Sequence, residues 1–246
     1  MTYLSLLLHS CRALVYCWSI VLFLFAFPNS VRAVAITDPV GDFLPTYTGT
    51  QAGDLDVIAA DVILDGNQLV FSGTVNGTVG TTAGTYYVFG LDRGLGAPIF
   101  ALSGSPLLPN EDKVLFDAAV VISGDGLTGL VADLSTGAPV ITPFPTSDIT
   151  ISGNTVTATL PLSLFTTSPA FLPPQQYAFN LWPRLGLDAS NNAQVSDFAP
   201  DNATASVSPV PEPAGLGLAA FGILFWLFRG RGRTSEPSRA VTASDY

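Results

Sequence analysis

The stretch Leu55-Asp56-Val57-Ile58-Ala59-Ala60-Asp61-Val62-Ile63-Leu64-Asp65-Gly66-Asn67-Gln68-Leu69-Val70-Phe71-Ser72-Gly73-Thr74-Val75 decides the fold. Two β-branched and aliphatic arms, Leu55–Leu64 and Gln68–Val75, flank Asp65-Gly66-Asn67. Gly and Asn tolerate positive φ, so this trio predicts a hairpin turn. In the second arm Leu69, Phe71 and Val75 fall on one face of a period-two strand, with Gly73 among them.

The same pattern continues along the chain. Short runs rich in Val, Ile, Thr, Phe and Tyr, separated by Gly, Asp, Asn and Pro, predict strands at Thr85–Leu91, Val114–Ser123, Thr128–Leu134, Asp148–Ser152, Thr155–Leu160 and Tyr177–Trp182. Ser152-Gly153-Asn154-Thr155 reads as a second tight turn, and Pro161–Phe165 as one helical turn. A short strand near Ala203–Val207 brings the expected total to about nine. Between Ile36 and Pro209 no segment keeps a helical period over three turns. With no helices to cover them, sheet faces must bury each other, so the expected class is all-β, an antiparallel sandwich, with a closed barrel as the alternative.

Charge and cysteine usage exclude several function classes. From Ile36 to Pro209 there are 16 acidic residues and three basic ones (Arg93, Lys113, Arg184), a net of −13. Such a surface repels nucleic acid and anionic lipid, and suits divalent cations. Both cysteines, Cys11 and Cys17, and the only histidine, His9, lie among the first 20 residues. There Arg12 precedes the apolar Ala13–Phe27 and then small residues, the order of a secretory signal over residues 1–35 with cleavage after Ala33 or Ala35; an uncleaved anchor is the alternative. A chain cleaved there carries neither Cys nor His. It then has no disulfide, no zinc site of the usual kind, no thiol nucleophile and no imidazole base.

The other end is as distinctive. After a Pro-rich linker, Ser206–Pro213, an uncharged run Ala214–Phe228 leads into Arg229, Arg231 and Arg233 and a polar tail to Tyr246. About 15 residues of helix reach about 22 Å at roughly 1.5 Å per residue, short of a hydrocarbon core of about 30 Å unless the flanks contribute. The arginines would hold that end on the cytoplasmic side. Val210-Pro211-Glu212-Pro213, the short apolar helix and the arginine cluster, in this order, resemble the PEP-CTERM sorting signal of Gram-negative bacteria. That resemblance covers about 25 residues and implies an exosortase as partner, transient membrane anchoring, processing near Pro211–Pro213, and a destination in the cell envelope or an exopolysaccharide matrix. The tail Thr234–Tyr246 departs from the family, which usually stops soon after the basic cluster.

The exported body, residues 36–205, opens on Thr37-Asp38-Pro39-Val40-Gly41-Asp42, which resembles the entry of secreted sandwiches of the DOMON and family-nine carbohydrate-binding kinds. Three kinds of site are readable in it. Asp38, Asp42, Asp54, Asp56, Asp197 and Asp201 are hard oxygen ligands of the type Ca²⁺ takes, although Asp also serves as a turn former. Trp182 and Asn180 share a strand face with Arg184 nearby, so the ring could stack on a sugar; a lone strand Trp is more often core. Tyr86 and Tyr87 point to opposite faces. A Ser-His-Asp triad, a phosphate loop and a dinucleotide fingerprint are all missing, and Glu111 with Asp112 is the carboxylate pair a glycosidase would need, set in a loop that reads as solvated. The leading expectation is a non-enzymatic structural or adhesive protein linked to exopolysaccharide. A carbohydrate-binding module, with or without Ca²⁺, is the alternative.

Overall fold

The computed structural model describes residues 35–210 of the chain. Its strands in chain order are β1 (Ile36–Thr37), β2 (Val57–Asp65), β3 (Gln68–Val75), β4 (Thr85–Asp92), β5 (Ala118–Ser123), β6 (Gly129–Asp133), β7 (Val140–Pro143), β8 (Ile149–Ser152), β9 (Thr155–Pro161), β10 (Ala178–Leu185), β11 (Ala205–Ser206) and β12 (Ser208–Pro209). They form two six-stranded sheets. The first runs β1-β2-β3-β9-β8, with β12 against β2; the second runs β11-β10-β4-β5-β6-β7. This is an all-β sandwich. Among the described residues, no helix is long and apolar enough to cross a membrane. Residues 1–34 of the expected signal (1–35) and the segment from Pro211 onward lie outside the described residues.

The opening hairpin forms as its turn predicts. Gly66 takes φ +57°, and Leu64 faces Leu69 while Asp65 faces Gln68. Leu69, Phe71 and Val75 are fully buried on the inner face. Burying a side chain the size of Leu or Phe contributes about 1.5–3 kcal/mol, so this alternation pins the register. Between the sheets, these residues meet Tyr87, Phe89 and Leu91 of β4, Ile122 of β5 and Phe179 and Leu181 of β10.

Two expectations need correction. Nine strands have four or more residues, but three two-residue strands add to them, and β12 runs parallel to β2 rather than antiparallel. Ser206–Pro209, expected as linker, are paired into the fold: Ser206 opposite Ala178 in the second sheet, Ser208 opposite Ile63 in the first. Val207 between them is buried and donates its N–H to the Tyr177 carbonyl at 2.8 Å. An isolated strand pair is marginal; here the two short pairings hold because buried Val207 anchors the crossing.

The outer face of the second sheet is covered as well. The segment 95–116 and the loop after β10 lay Phe100, Leu108, Phe116, Val195 and Phe198 over Val88, Ala119, Val121 and Trp182. Close approach here depends on Gly90: a methyl built at that position would lie 2.5 Å from Trp182 Cζ3. A buried cation braces the same sheet. Arg93, fully buried, donates from Nε to Asp117 at 2.5 Å and from Nη2 to Asp133 at 3.0 Å, and from Nη1 to the Thr166 carbonyl at 3.2 Å. Its guanidinium also stacks 4.2 Å from the centroid of Phe171, so one side chain fixes the segment 166–171 to β5 and β6.

Candidate metal centre

Three separate pieces of chain bring carboxylates together beside the start of β2. The first is the turn after β1, which carries Asp38 and Asp42. Its backbone is held by Asp38 N–H on the Ile58 carbonyl (3.1 Å) and Leu44 N–H on the Ser196 carbonyl (2.8 Å). The second piece is Asp56, one residue before β2. The third is the loop after β10, with Asp197 and Asp201. Leu181 and Ala199 exchange two backbone bonds at 2.8 and 2.9 Å, and Asn180 Nδ2 donates to the Pro200 carbonyl at 2.6 Å and the Ala203 carbonyl at 2.9 Å. Asn180 is therefore a positioning residue for the turn that carries Asp201.

The carboxylates form two overlapping triads. Asp38, Asp42 and Asp201 place one oxygen each within 4.8 Å of one another, and so do Asp42, Asp56 and Asp197. Ca²⁺ holds oxygens at about 2.3–2.6 Å, which puts ligands on one ion at most about 5 Å apart, so both triads have the right size. Their surroundings differ. Asp56 and Asp197 are buried, whereas Asp201 is exposed.

Hydrogen bonds satisfy the inner pair. Asp56 accepts the Gly41 N–H at 3.0 Å on both oxygens and Asn76 Nδ2 at 3.1 Å. Asp197 accepts the N–H of Val57 and of Phe198, each at 2.8 Å. In contrast, Asp38 Oδ2 and Asp42 Oδ1 are buried oxygens with no hydrogen-bond partner. Among the described residues the ion pairs are those of Arg93 with Asp117 and Asp133, so none of these five carboxylates faces a cation. Burial, with Asp42, Asp201 and Asp56 adding repulsion, pushes Asp38 up to about 7. Burial is also the main cause at Asp197, with Asp38 and Asp42 adding to it against the two N–H bonds, and takes it up to about 8. Burial and Asp42 raise Asp201. Uncompensated buried carboxylates are costly unless a cation or a proton neutralises them.

Of the six acidic residues picked out by type, the structure brings five together and assigns the sixth elsewhere. Asp54 accepts the N–H and hydroxyl of Thr82, both at 2.7 Å, and its carbonyl accepts the Tyr87 hydroxyl at 2.9 Å. It braces the β3–β4 connection.

The expected sugar platform lies inside the protein. Trp182 is 2% exposed, with Phe100, Phe116 and Phe198 packed at centroid distances of 5.0, 4.9 and 6.0 Å. No face of the indole is left for a sugar ring in this conformation. Arg184, also buried, gives Nη2 to the carbonyls of Asp188 and Asn191 and to Gln194 Oε1, and so ties down the loop after β10. Tyr87 is buried and Tyr86 half-buried on the opposite face. Glu111 accepts the Asn202 N–H at 3.0 Å, tying its loop to the turn of Asp201 rather than facing Asp112 across a cleft. Val210, the one sorting-motif residue among those described, donates its N–H to the Leu64 carbonyl at 3.0 Å. Pro211, Glu212, Pro213, Arg229, Arg231 and Arg233 lie outside the described residues.

Set against models of known protein families and against curated proteins, the chain matches neither.

Proposed function

We propose that this chain is an exported, non-catalytic protein of the cell envelope or extracellular matrix, whose sandwich is closed by Ca²⁺ and works as a structural or adhesive module in an exopolysaccharide layer. The observation that carries the calcium part is the convergence of Asp38, Asp42, Asp56, Asp197 and Asp201 from three segments, with two buried oxygens lacking any donor. A bound Ca²⁺ would join the turn after β1 to β2 and to the loop after β10, supplying the positive charge the cluster lacks. Delivery rests on the sequence from Val210 to Arg233, whose three ordered parts suit recognition by an exosortase in the membrane and release near Pro211–Pro213.

Each half has its own test. Calcium present at about 100 times its dissociation constant adds about 2.7 kcal/mol of stability, or about 5–10 °C for a domain of this size. Thermal unfolding of the full chain in Ca²⁺ and in EDTA measures this; identical midpoints reject the calcium part. Sorting is tested by the mass of the protein recovered from a host with and without exosortase. A product that keeps Arg229–Tyr246 in both hosts rejects it.

A carbohydrate-binding role on the same sandwich would run through the loops. With Trp182 packed inside, recognition by stacking on the β10 face loses its ring, and the acidic loops become the surface with ligand chemistry.

A further inference from the structure

We infer that β12 is a clasp that regulates the sorting segment. β2 and a partner reading Val210–Pro213 compete for the same backbone donors, so β12 must leave β2 before processing. This rests on the sorting reading above and adds its regulation. In processing, a peptide bond near Pro211–Pro213 breaks, and its acyl carbon passes to a nucleophile of the exosortase. Water or an acceptor amine then takes the acyl group, while the freed nitrogen gains a proton and leaves with Ala214–Phe228.

The competition follows from where the prolines fall. In an extended strand, successive residues turn their N–H groups to alternate edges. Val210 donates its N–H to the Leu64 carbonyl at 3.0 Å, and Ser208 stands opposite Ile63 in the same parallel pairing. Pro209, between them, has no N–H and falls on the other phase. Pro211 and Pro213 continue that phase in the sequence, with Glu212 between them. Read as an extended strand, Ser208–Pro213 therefore has every donor on one edge and only carbonyls on the other. A partner that recognises the segment by strand addition needs main-chain donors as well as acceptors. It finds both only on the edge that β2 already holds.

The clasp is small enough to open by itself. β12 has two residues, in a parallel pairing that is slightly less stable per residue than an antiparallel one. Its free end is exposed, Val210 to 44%. Its anchor is Val207, buried and bonded to the Tyr177 carbonyl. Lifting residues 207–210 leaves the long pairings of β2 with β3 and of β4 with β10 untouched.

A locked and a loosened clasp test this on the full chain. Ile63→Cys with Ser208→Cys locks it: neighbouring strands lie about 4.8 Å apart, within the roughly 4.4–6.8 Å that a disulfide spans between Cα atoms. Val207→Ala loosens it and leaves every backbone donor in place. Thermal melting first shows that both variants keep the sandwich, and mass before and after reduction shows that the lock has closed. A post-proline endopeptidase active on whole proteins then probes the purified chains, since such cleavage follows the population of the open form. Cuts after Pro209 and Pro211 should come about tenfold faster in Val207→Ala than in the wild type, and in the locked variant only after reduction. In a host with exosortase, the wild type and Ile63→Cys alone should lose Arg229–Tyr246, Val207→Ala should lose it more completely, and the locked variant should keep it. A locked variant processed like the wild type, or cut as fast by the endopeptidase, overturns the clasp and leaves the sorting reading in place. So does Val207→Ala cut and processed no more readily than the wild type. A wild type that keeps Arg229–Tyr246 in that host overturns the sorting reading, and the regulation falls with it.

Discussion

The carboxylate of Asp197 accepts the backbone N–H of Val57 at 2.8 Å across 140 residues of sequence, and Asp38, in the same cluster, has an oxygen with no such partner. The two residues carry like charges but should respond oppositely to the same substitution.

In EDTA, Asp38→Asn removes repulsion and leaves no donated bond behind. It should raise the melting temperature by about 3–6 °C, for relief worth about one pKa unit or roughly 1.4 kcal/mol. Asp197→Asn keeps one acceptor for two N–H groups and strands a buried donor, at a cost of about 1–3 kcal/mol. It should melt several degrees lower. Both should lose part of the calcium response. Thermal scans of the two variants with and without EDTA check the contrast, and equal shifts would remove the distinction between the two sites.

Without calcium, stability should fall as the pH rises. Asp38 and Asp197 titrate at about 7 and about 8 in the folded chain, above the value of about 3.9 for an unfolded Asp. Between about pH 4 and pH 8 the folded state therefore binds more protons, so stability declines through that window and the loss is complete above it. Calcium affinity should run the other way and tighten toward pH 8, because protons and Ca²⁺ compete for the same oxygens. Melting in EDTA at several pH values, beside calcium titrations at the same pH, measures both slopes.

Breaking the Arg93 network should be the most damaging single change away from the cluster. Arg93→Met leaves Asp117 and Asp133 buried together without their cation, at about 3–5 kcal/mol. Chemical denaturation should show this loss equally with and without calcium. A calcium-dependent loss would mean that the two ends of the sandwich are coupled.

Gly90→Ala should unsettle the outer core. The added methyl meets the Trp182 ring at 2.5 Å and Phe116 Cβ at 3.1 Å, and overpacking of this kind costs about 1–3 kcal/mol. Near-ultraviolet circular dichroism, dominated by the buried indole, should change together with the melting temperature.

Local structure was legible where turn chemistry and alternation agreed. Asp65-Gly66-Asn67 and Ser152-Gly153-Asn154-Thr155 both form their turns, with Gly66 and Gly153 at positive φ. The strand β7 was missed because Pro139, Pro143 and Pro145 read as loop; it is an edge strand, where proline costs no ladder bond. Pairing between distant strands, such as β3 with β9, carries no local signal at all. At the site, residue type marked Asp as calcium chemistry, but type cannot separate Asp56 from Asp54, two positions away. One turns toward the Gly41 N–H and the other toward Thr82. Arg93 stood out only as one of three basic residues in a long acidic stretch; its burial depends on Asp117 and Asp133 meeting across β5 and β6.

The crossing at Val207 makes completion of the fold a late event. Ser206 belongs to one sheet and Ser208 to the other, so the last strands stitch the sandwich shut. A chain made from its amino terminus, or threaded through a pore in that order, can pair β2 with β3 early. It cannot set β12 against Ile63 and Leu64 until nearly all of the 210 residues before the Pro-Glu-Pro motif have emerged. Closure of the sandwich thus coincides in time with the arrival of the segment that follows it, and a domain still open at that moment would present its core edge rather than a finished sheet.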